Sequence, residues 1–203
     1  MITIVDYGMG NVGSLLNMFR YIGVAAETES DPHRLMESRS LVLPGVGAFH
    51  AAMEAINSRP KLRDTLDHKA LHERVPILGV CLGMQLLTSY SEEGNCDGLN
   101  WIEGETRLMP TLEGVKIPHM GWNVAMSNSD SPLFSGISDS RYYFVHSYYV
   151  SVKNPKHSLT RTKYGIEFDS SIGRDNVFGV QFHPEKSHRY GMAVLKNFAE
   201  FAK

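Results

Sequence analysis

The chain is expected to fold as an α/β three-layer sandwich, with a mostly parallel central sheet and an antiparallel extension. Three observations predict this. Short apolar strands alternate with helical patterns through the first half of the chain, the signature of parallel strands covered by helices on both faces. After Gly94 the rhythm changes to short strands separated by turns. Finally, 203 residues with 42% hydrophobic content are enough for one well-buried core. No linker, low-complexity segment or internal repeat divides residues 1–203, so they read as a single domain.

Taken in order, Ile2 to Val5 is the first strand. A helix carrying Leu15, Leu16, Phe19 and Ile22 on one face follows, then a short strand around Val24 to Thr28. The strands continue with Leu41-Val42-Leu43 and Ile77 to Val80, and Leu82 to Tyr90 carries helix-forming residues. Thr106 to Met109, Val115 to Ile117, Tyr142 to Val150 and Gly165 to Ile172 read as the antiparallel extension. Val177 to Phe182 is a further apolar strand, and a helix from about Ser187 to Ala202 closes the chain. In such a sheet the active site lies at the carboxyl ends of the strands.

Two of these strand ends carry reactive side chains. Gly79-Val80-Cys81-Leu82-Gly83 places a thiol between strand and helix, with a glycine two positions to either side. The arrangement matches a nucleophile elbow, in which a tight turn exposes the side chain and the following helix stabilises a thiolate. Taken alone, the motif equally suits a buried structural cysteine. At the second strand end, Val177-Phe178-Gly179-Val180-Gln181-Phe182 runs into His183-Pro184-Glu185, so an imidazole and a carboxylate leave the sheet together. Thiol chemistry needs a base and a group that holds the base in the right tautomer. Cys81, His183 and Glu185 supply such a set, although a surface histidine beside a solvated glutamate is the plainer reading of the last two in isolation. Pro44-Gly45-Val46-Gly47 follows another strand, where a hydrolase of this architecture needs its oxyanion loop. One amide would come from Leu82 and another from Val46-Gly47; a simple connecting turn is the alternative.

An elbow in mid-chain and a His-Pro-Glu near the end resemble the class I glutamine amidotransferases, over essentially all of the chain. Four further runs, Asp6 to Asn11, Pro44 to Phe49, Pro118 to Asn123 and Phe144 to Tyr148, resemble the branch whose glutaminase feeds a cyclase (synthase) subunit in histidine biosynthesis. The resemblance implies a flavodoxin-like fold, hydrolysis of L-glutamine to glutamate and ammonia, and a heterodimer with that cyclase. It nominates Gly47, Gln85, Ser147 and Tyr148 as glutamine contacts, with Glu93 addressing the ammonium group. It nominates Asn11, Met120, Trp122, Tyr143 and Lys186 for the partner interface. Gln85 lies one helical turn after Cys81, which suits a substrate held at the elbow; an exposed helix glutamine is the alternative. Ser147 and Tyr148 equally suit core packing, and without the family each interface residue reads as structural or solvent-exposed.

Two rival functions remain. Gly8-Met9-Gly10-Asn11-Val12-Gly13 is a literal G-x-G-x-x-G between a strand and a helix, with Glu27 and Glu29 near the offset of a ribose-binding acid. A dinucleotide site would, however, leave Cys81 and His183 without a task. An independent thiol hydrolase, such as a γ-glutamyl peptidase, would use the same triad without a synthase. The nine histidines and two cysteines show no paired metal-ligand spacing, so neither metal nor cofactor is expected. Cys96 sits in a polar, loop-like setting and reads as an incidental thiol. A formal charge of −2 argues against nucleic acid as a partner. The absence of a basic leader at Met1–Asp6 and of a long apolar stretch predicts a cytoplasmic protein with no membrane partner.

Overall fold

Alternation along β1 (Ile2–Val5) sends Ile2 and Ile4 into one apolar layer and Val5 into the other, and all four residues are buried. A computed structural model describes residues 1–127, 130–137 and 140–203. Three more strands continue the two-faced burial, β3 (Leu41–Leu43), β4 (Ile77–Val80) and, far along the chain, β14 (Val177–Val180), while β2 (Ala26–Glu29) at the sheet edge buries only Glu29. They lie parallel in the order β2-β1-β3-β4-β14. The order of the first four is that of flavodoxin-like sheets.

Helices cover both faces, as the apolar spacing requires. α1 (Val12–Tyr21) and the closing α6 (His188–Phe201) pack Leu15, Phe19, Val194, Leu195 and Phe198 onto the layer containing Ile2, Ile4, Val42 and Val80. α3 (Phe49–Asn57), α4 (Leu62–Asp67) and α5 (Leu82–Leu86) cover the opposite layer, and the single turn α2 (Pro32–Leu35) contributes Leu35 to it. No helix among the described residues is long and apolar enough to cross a membrane.

The antiparallel extension begins at β13 (Ile166–Arg174), which pairs with β14. Beyond it lie β11 (Tyr148–Val152), β7 (Gly104–Leu108), β5 (Tyr90–Ser91) and β6 (Cys96–Asp97), antiparallel throughout except for β5 against β7. β12 (Ser158–Tyr164) and β9 (Met126–Ser127) branch from β13, and β8 (His119–Val124) with β10 (Arg141–His146) forms a separate two-stranded ribbon.

Four expectations need correction. Val115–Ile117 is no strand. Gly114, at φ 75°, turns the chain there, and the Lys116 carbonyl is taken by the Tyr164 hydroxyl at 2.9 Å. The helix expected to reach Tyr90 stops at Leu86, because Thr88 Oγ1 donates to the Gln85 carbonyl at 2.8 Å and Tyr90 joins β5. The single run Tyr142–Val150 is two strands in different sheets, broken at Ser147. Cys96, expected in a loop, is on β6, half-buried and unbridged.

Candidate active site

Every expected catalytic side chain stands at the carboxyl end of a parallel strand. Cys81 follows β4 directly and caps α5, with φ 55° and ψ −111°. Its N–H is tied to the Val180 carbonyl of β14 at 2.8 Å, and its own carbonyl accepts from Met84 N at 3.0 Å. The flanking glycines turn out to serve close approach rather than the turn itself, since the left-handed φ belongs to Cys81. A Cβ on Gly79 would lie 2.5 Å from the Gly83 carbonyl oxygen, and one on Gly83 would lie 1.9 Å from the Leu43 carbonyl oxygen. Only bare backbone lets α5 sit this close to β3 and β4.

His183 leaves β14 three residues after its end and is clamped by its backbone. Its N–H donates to the Tyr143 carbonyl at 2.9 Å, and its carbonyl accepts from Ser187 Oγ at 2.6 Å. The imidazole Nδ1 lies 2.9 Å from Glu185 Oε1, and both side chains are buried, 6% and 4% exposed. Burial opposes charging this ring, but hydrogen bonds and charge from Cys81 and Glu185 outweigh it and push His183 up to about 10. His183 thus favours its charged form beside the Cys81 sulfur, the arrangement that suits a cysteine nucleophile and its base.

Cys81, His183 and all seven residues expected on the oxyanion and substrate side line one cleft of about 310 Å³, within the range of small-molecule sites. Val46 and Gly47 form an exposed rim after β3, and Gly47 adopts φ 102°. Leu82 opens α5, where backbone amides lack intrahelical partners. Ser147 occupies the break between β10 and β11, and Tyr148 opens β11. Gln85 is not the exposed helix residue of the plain reading. It is 4% exposed, and its Nε2 donates to the Tyr148 carbonyl at 3.2 Å and to Gln181 Oε1 at 3.1 Å. Glu93 Oε2 accepts from Phe49 N at 2.9 Å, so its carboxylate also serves the start of α3. Glu185 stands behind His183, outside the cleft.

Of the residues expected at the interface, Lys186 lines the cleft and is exposed. Met120 and Trp122, 60% and 46% exposed, lie on β8, and Trp122 stacks on His188 at 5.5 Å and meets Tyr143 edge-on at 6.2 Å. Asn11 caps α1, accepting from Ser14 N at 3.2 Å.

The glycine-rich loop at Gly8–Gly13 has a structural task. A Cβ on Gly10 would lie 3.0 Å from Pro44 Cβ, and one on Gly47 would meet Met9 at 3.1 Å, so this loop packs against the Pro44–Gly47 turn. Tyr7, buried, donates its hydroxyl to the Pro44 carbonyl at 2.6 Å; burial and the charge of Cys81 hold its phenol above the usual value. Glu29, the offset acid of the dinucleotide reading, is occupied by Ser30 N, Asp31 N and Arg34.

Three residues of the site escaped the sequence reading as participants. Gln181 Nε2 lies 3.8 Å from Cys81 Sγ, the Val145 carbonyl lies 3.9 Å from the same sulfur, and buried His146 lines the cleft. A polar residue inside the otherwise apolar run 177–182 was the available signal for Gln181.

The glutamine amidotransferase class-I family model matches residues 3–201. The chain is 44% identical to imidazole glycerol phosphate synthase subunit HisH 2 of Pseudomonas aeruginosa, covering 98% of this chain and 99% of the relative. It is 46% identical to the HisH 2 subunit of Methanococcus maripaludis, with 100% of both chains covered. Among solved structures, PurLQS from Thermotoga maritima superposes with a TM-score of 0.76 at 18% identity, over 100% of this chain and 98% of that one. At that identity the likeness concerns the fold.

Proposed function

The chain belongs to the class I glutamine amidotransferases, and on that premise we propose that it is the glutaminase subunit of an imidazole glycerol phosphate synthase. It hydrolyses L-glutamine to glutamate and ammonia and supplies the ammonia to a cyclase subunit that makes imidazole glycerol phosphate and AICAR in histidine biosynthesis. Full-length identity to HisH subunits supports the assignment. The observation that carries the chemistry is the convergence of Cys81 and His183 on one cleft of substrate size, with Glu185 2.9 Å from the imidazole on its far side.

In this mechanism His183 holds the proton of Cys81, and the thiolate attacks the side-chain amide carbon of glutamine. The carbonyl oxygen becomes an oxyanion facing the Leu82 amide and the Val46–Gly47 turn; losing one such donor typically costs on the order of 10²- to 10³-fold in turnover. As the carbon–nitrogen bond breaks, His183 passes its proton to the leaving nitrogen, releasing ammonia and a glutamyl thioester. Water, deprotonated by His183, then attacks the thioester, and the departing sulfur restores the pair. Glu185 holds the imidazole tautomer and stabilises its charged form. Gln85, Ser147, Tyr148 and Glu93 contact the glutamine. The partner docks against Asn11, Met120, Trp122, Tyr143 and Lys186, the last of which lines the cleft.

Cys81→Ala tests this reading. In the assembled complex it is expected to abolish glutamine-dependent synthesis while leaving synthesis from added ammonium intact. Equal loss of both activities would assign Cys81 a structural role. Turnover of γ-glutamyl peptides by the isolated chain, faster than of glutamine and indifferent to a synthase, would make it an independent thiol hydrolase.

A further inference from the structure

We propose that Gln181 is a second hydrogen-bond donor to the nucleophile, its side-chain N–H stabilising the Cys81 thiolate under the orientation imposed by Gln85. The inference rests on the reading of Cys81 as the nucleophile and adds a catalytic contact to it.

The orientation follows from a chain of forced roles. The Tyr148 carbonyl can only accept, and Gln85 Nε2 lies 3.2 Å from it, so the Gln85 amide nitrogen faces that way. The same nitrogen lies 3.1 Å from Gln181 Oε1. Turning the Gln181 amide over would set two N–H groups against each other in a site where Gln181 is 0% exposed and Gln85 4%. Gln181 therefore presents oxygen to Gln85 and nitrogen to Cys81 Sγ, 3.8 Å away. Its backbone is held too, with Gln181 N donating to the Ser170 carbonyl at 2.9 Å.

The sulfur's other neighbours explain why such a donor matters. The Val145 carbonyl, 3.9 Å from Sγ, can accept from a thiol but only repels a thiolate. His183, with Glu185 behind it, supplies the positive charge. Tyr7 from the β1 side and His146 beside Val145 are both neutral, the phenol held above its usual value and the imidazole below it by burial. Gln181 is thus a non-titrating donor on the anion, and hydrogen bonds to charged groups in buried sites are the strong ones. It shifts the midpoint of the Cys81–His183 pair without adding a limb of its own.

The test uses the full chain carrying Cys96→Ser, so that alkylation by iodoacetamide reports Cys81 alone, together with glutamine- and ammonium-dependent synthesis in the assembled complex. Gln181→Met keeps the length of the side chain and removes the N–H. It is expected to raise the pH midpoint of alkylation by about one unit and lower glutamine-dependent turnover by about tenfold or more, with ammonium-dependent synthesis unchanged. Gln181→Glu keeps an acceptor toward Gln85 and sets a carboxylate beside the sulfur, so its midpoint should lie above that of Gln181→Met. A packing defect alone would not produce that ordering. A midpoint in either variant at or below that of the parent overturns the inference. If Cys81→Ala leaves glutamine-dependent synthesis intact, the nucleophile assignment itself fails, a result distinguishable from a silent Gln181.

Discussion

Cys81 concentrates the strain of the site in one residue. A left-handed φ at a non-glycine position costs about 1–3 kcal/mol and persists only where the surroundings enforce it. Here they do so from both sides, through the backbone bonds to Val180 and Met84 and through contact of Gly83 with β3. Gly83→Ala should therefore be far worse than an ordinary helix substitution. Its Cβ would meet a backbone oxygen at 1.9 Å, with no side chain able to move aside. The expected loss is at least about 3 kcal/mol, the upper end of overpacking, read as a fall in the urea midpoint of unfolding. A change within about 1 kcal/mol would mean that α5 can lift off the sheet. Gly79 and Gly83 were legible as an elbow in the sequence, but their reason was not, because the atoms they make room for belong in part to a strand some forty residues earlier.

At the scale of elements, the β8–β10 ribbon is joined to the cleft by a buried histidine pair. His146 Nδ1 lies 2.7 Å from the Tyr148 carbonyl and must donate, so its Nε2 accepts from His119 Nδ1 at 2.9 Å. His119 Nε2 in turn accepts from Asn123 Nδ2 at 3.2 Å. Every tautomer is set, and both rings are neutral: burial lowers His119 to about 4, while burial and the neighbouring His119 lower His146 to about 3. These two histidines protonate in the unfolded chain near pH 6.5 but resist protonation when folded, so they withdraw stability as the pH falls from about 6.5 toward 4. His183, raised instead, stabilises fully below pH 6.5 and loses that contribution only as the pH climbs toward about 10, so it leaves the acid window flat. Urea titrations between pH 7 and 5 should show stability falling with acid, approaching about 1.4 kcal/mol per pH unit for each histidine. His119→Gln, which keeps a donor toward His146, should flatten part of that slope. An unchanged slope would place the acid sensitivity elsewhere.

At the scale of the whole molecule, the sheet order places the ends of β3, β4 and β14 side by side, and the break between β10 and β11 closes the cleft from the extension. The β8 ribbon stands outside the large sheet with Met120 and Trp122 exposed, and Met120 pairs with the cleft residue Val145. Met120→Asp is expected to weaken association with the synthase subunit by at least about tenfold, measured by calorimetric titration, while the stability of the isolated chain stays within about 0.5 kcal/mol. Undiminished association would move the docking face away from β8. Much of this plan was readable beforehand, from the alternating strands and helices of the first half to the two strand ends that carry thiol and imidazole. The extension was read less well. Val115–Ile117 has strand-like composition but turns at Gly114, and Tyr142–Val150 reads as one strand although its halves pair with different partners.

The amino-acid order alone determined the parallel core, the elbow and the His-Pro-Glu turn, because each depends on local periodicity and on turn residues within a few positions. Tertiary structure decided the rest. The flip of Gln181, the tautomers of His119 and His146, the task of the Gly8–Gly13 loop and the closeness allowed by Gly83 all depend on groups far away in the chain. Hydrogen-bond direction and steric clearance are properties of pairs of atoms, and only folding selects the pairs.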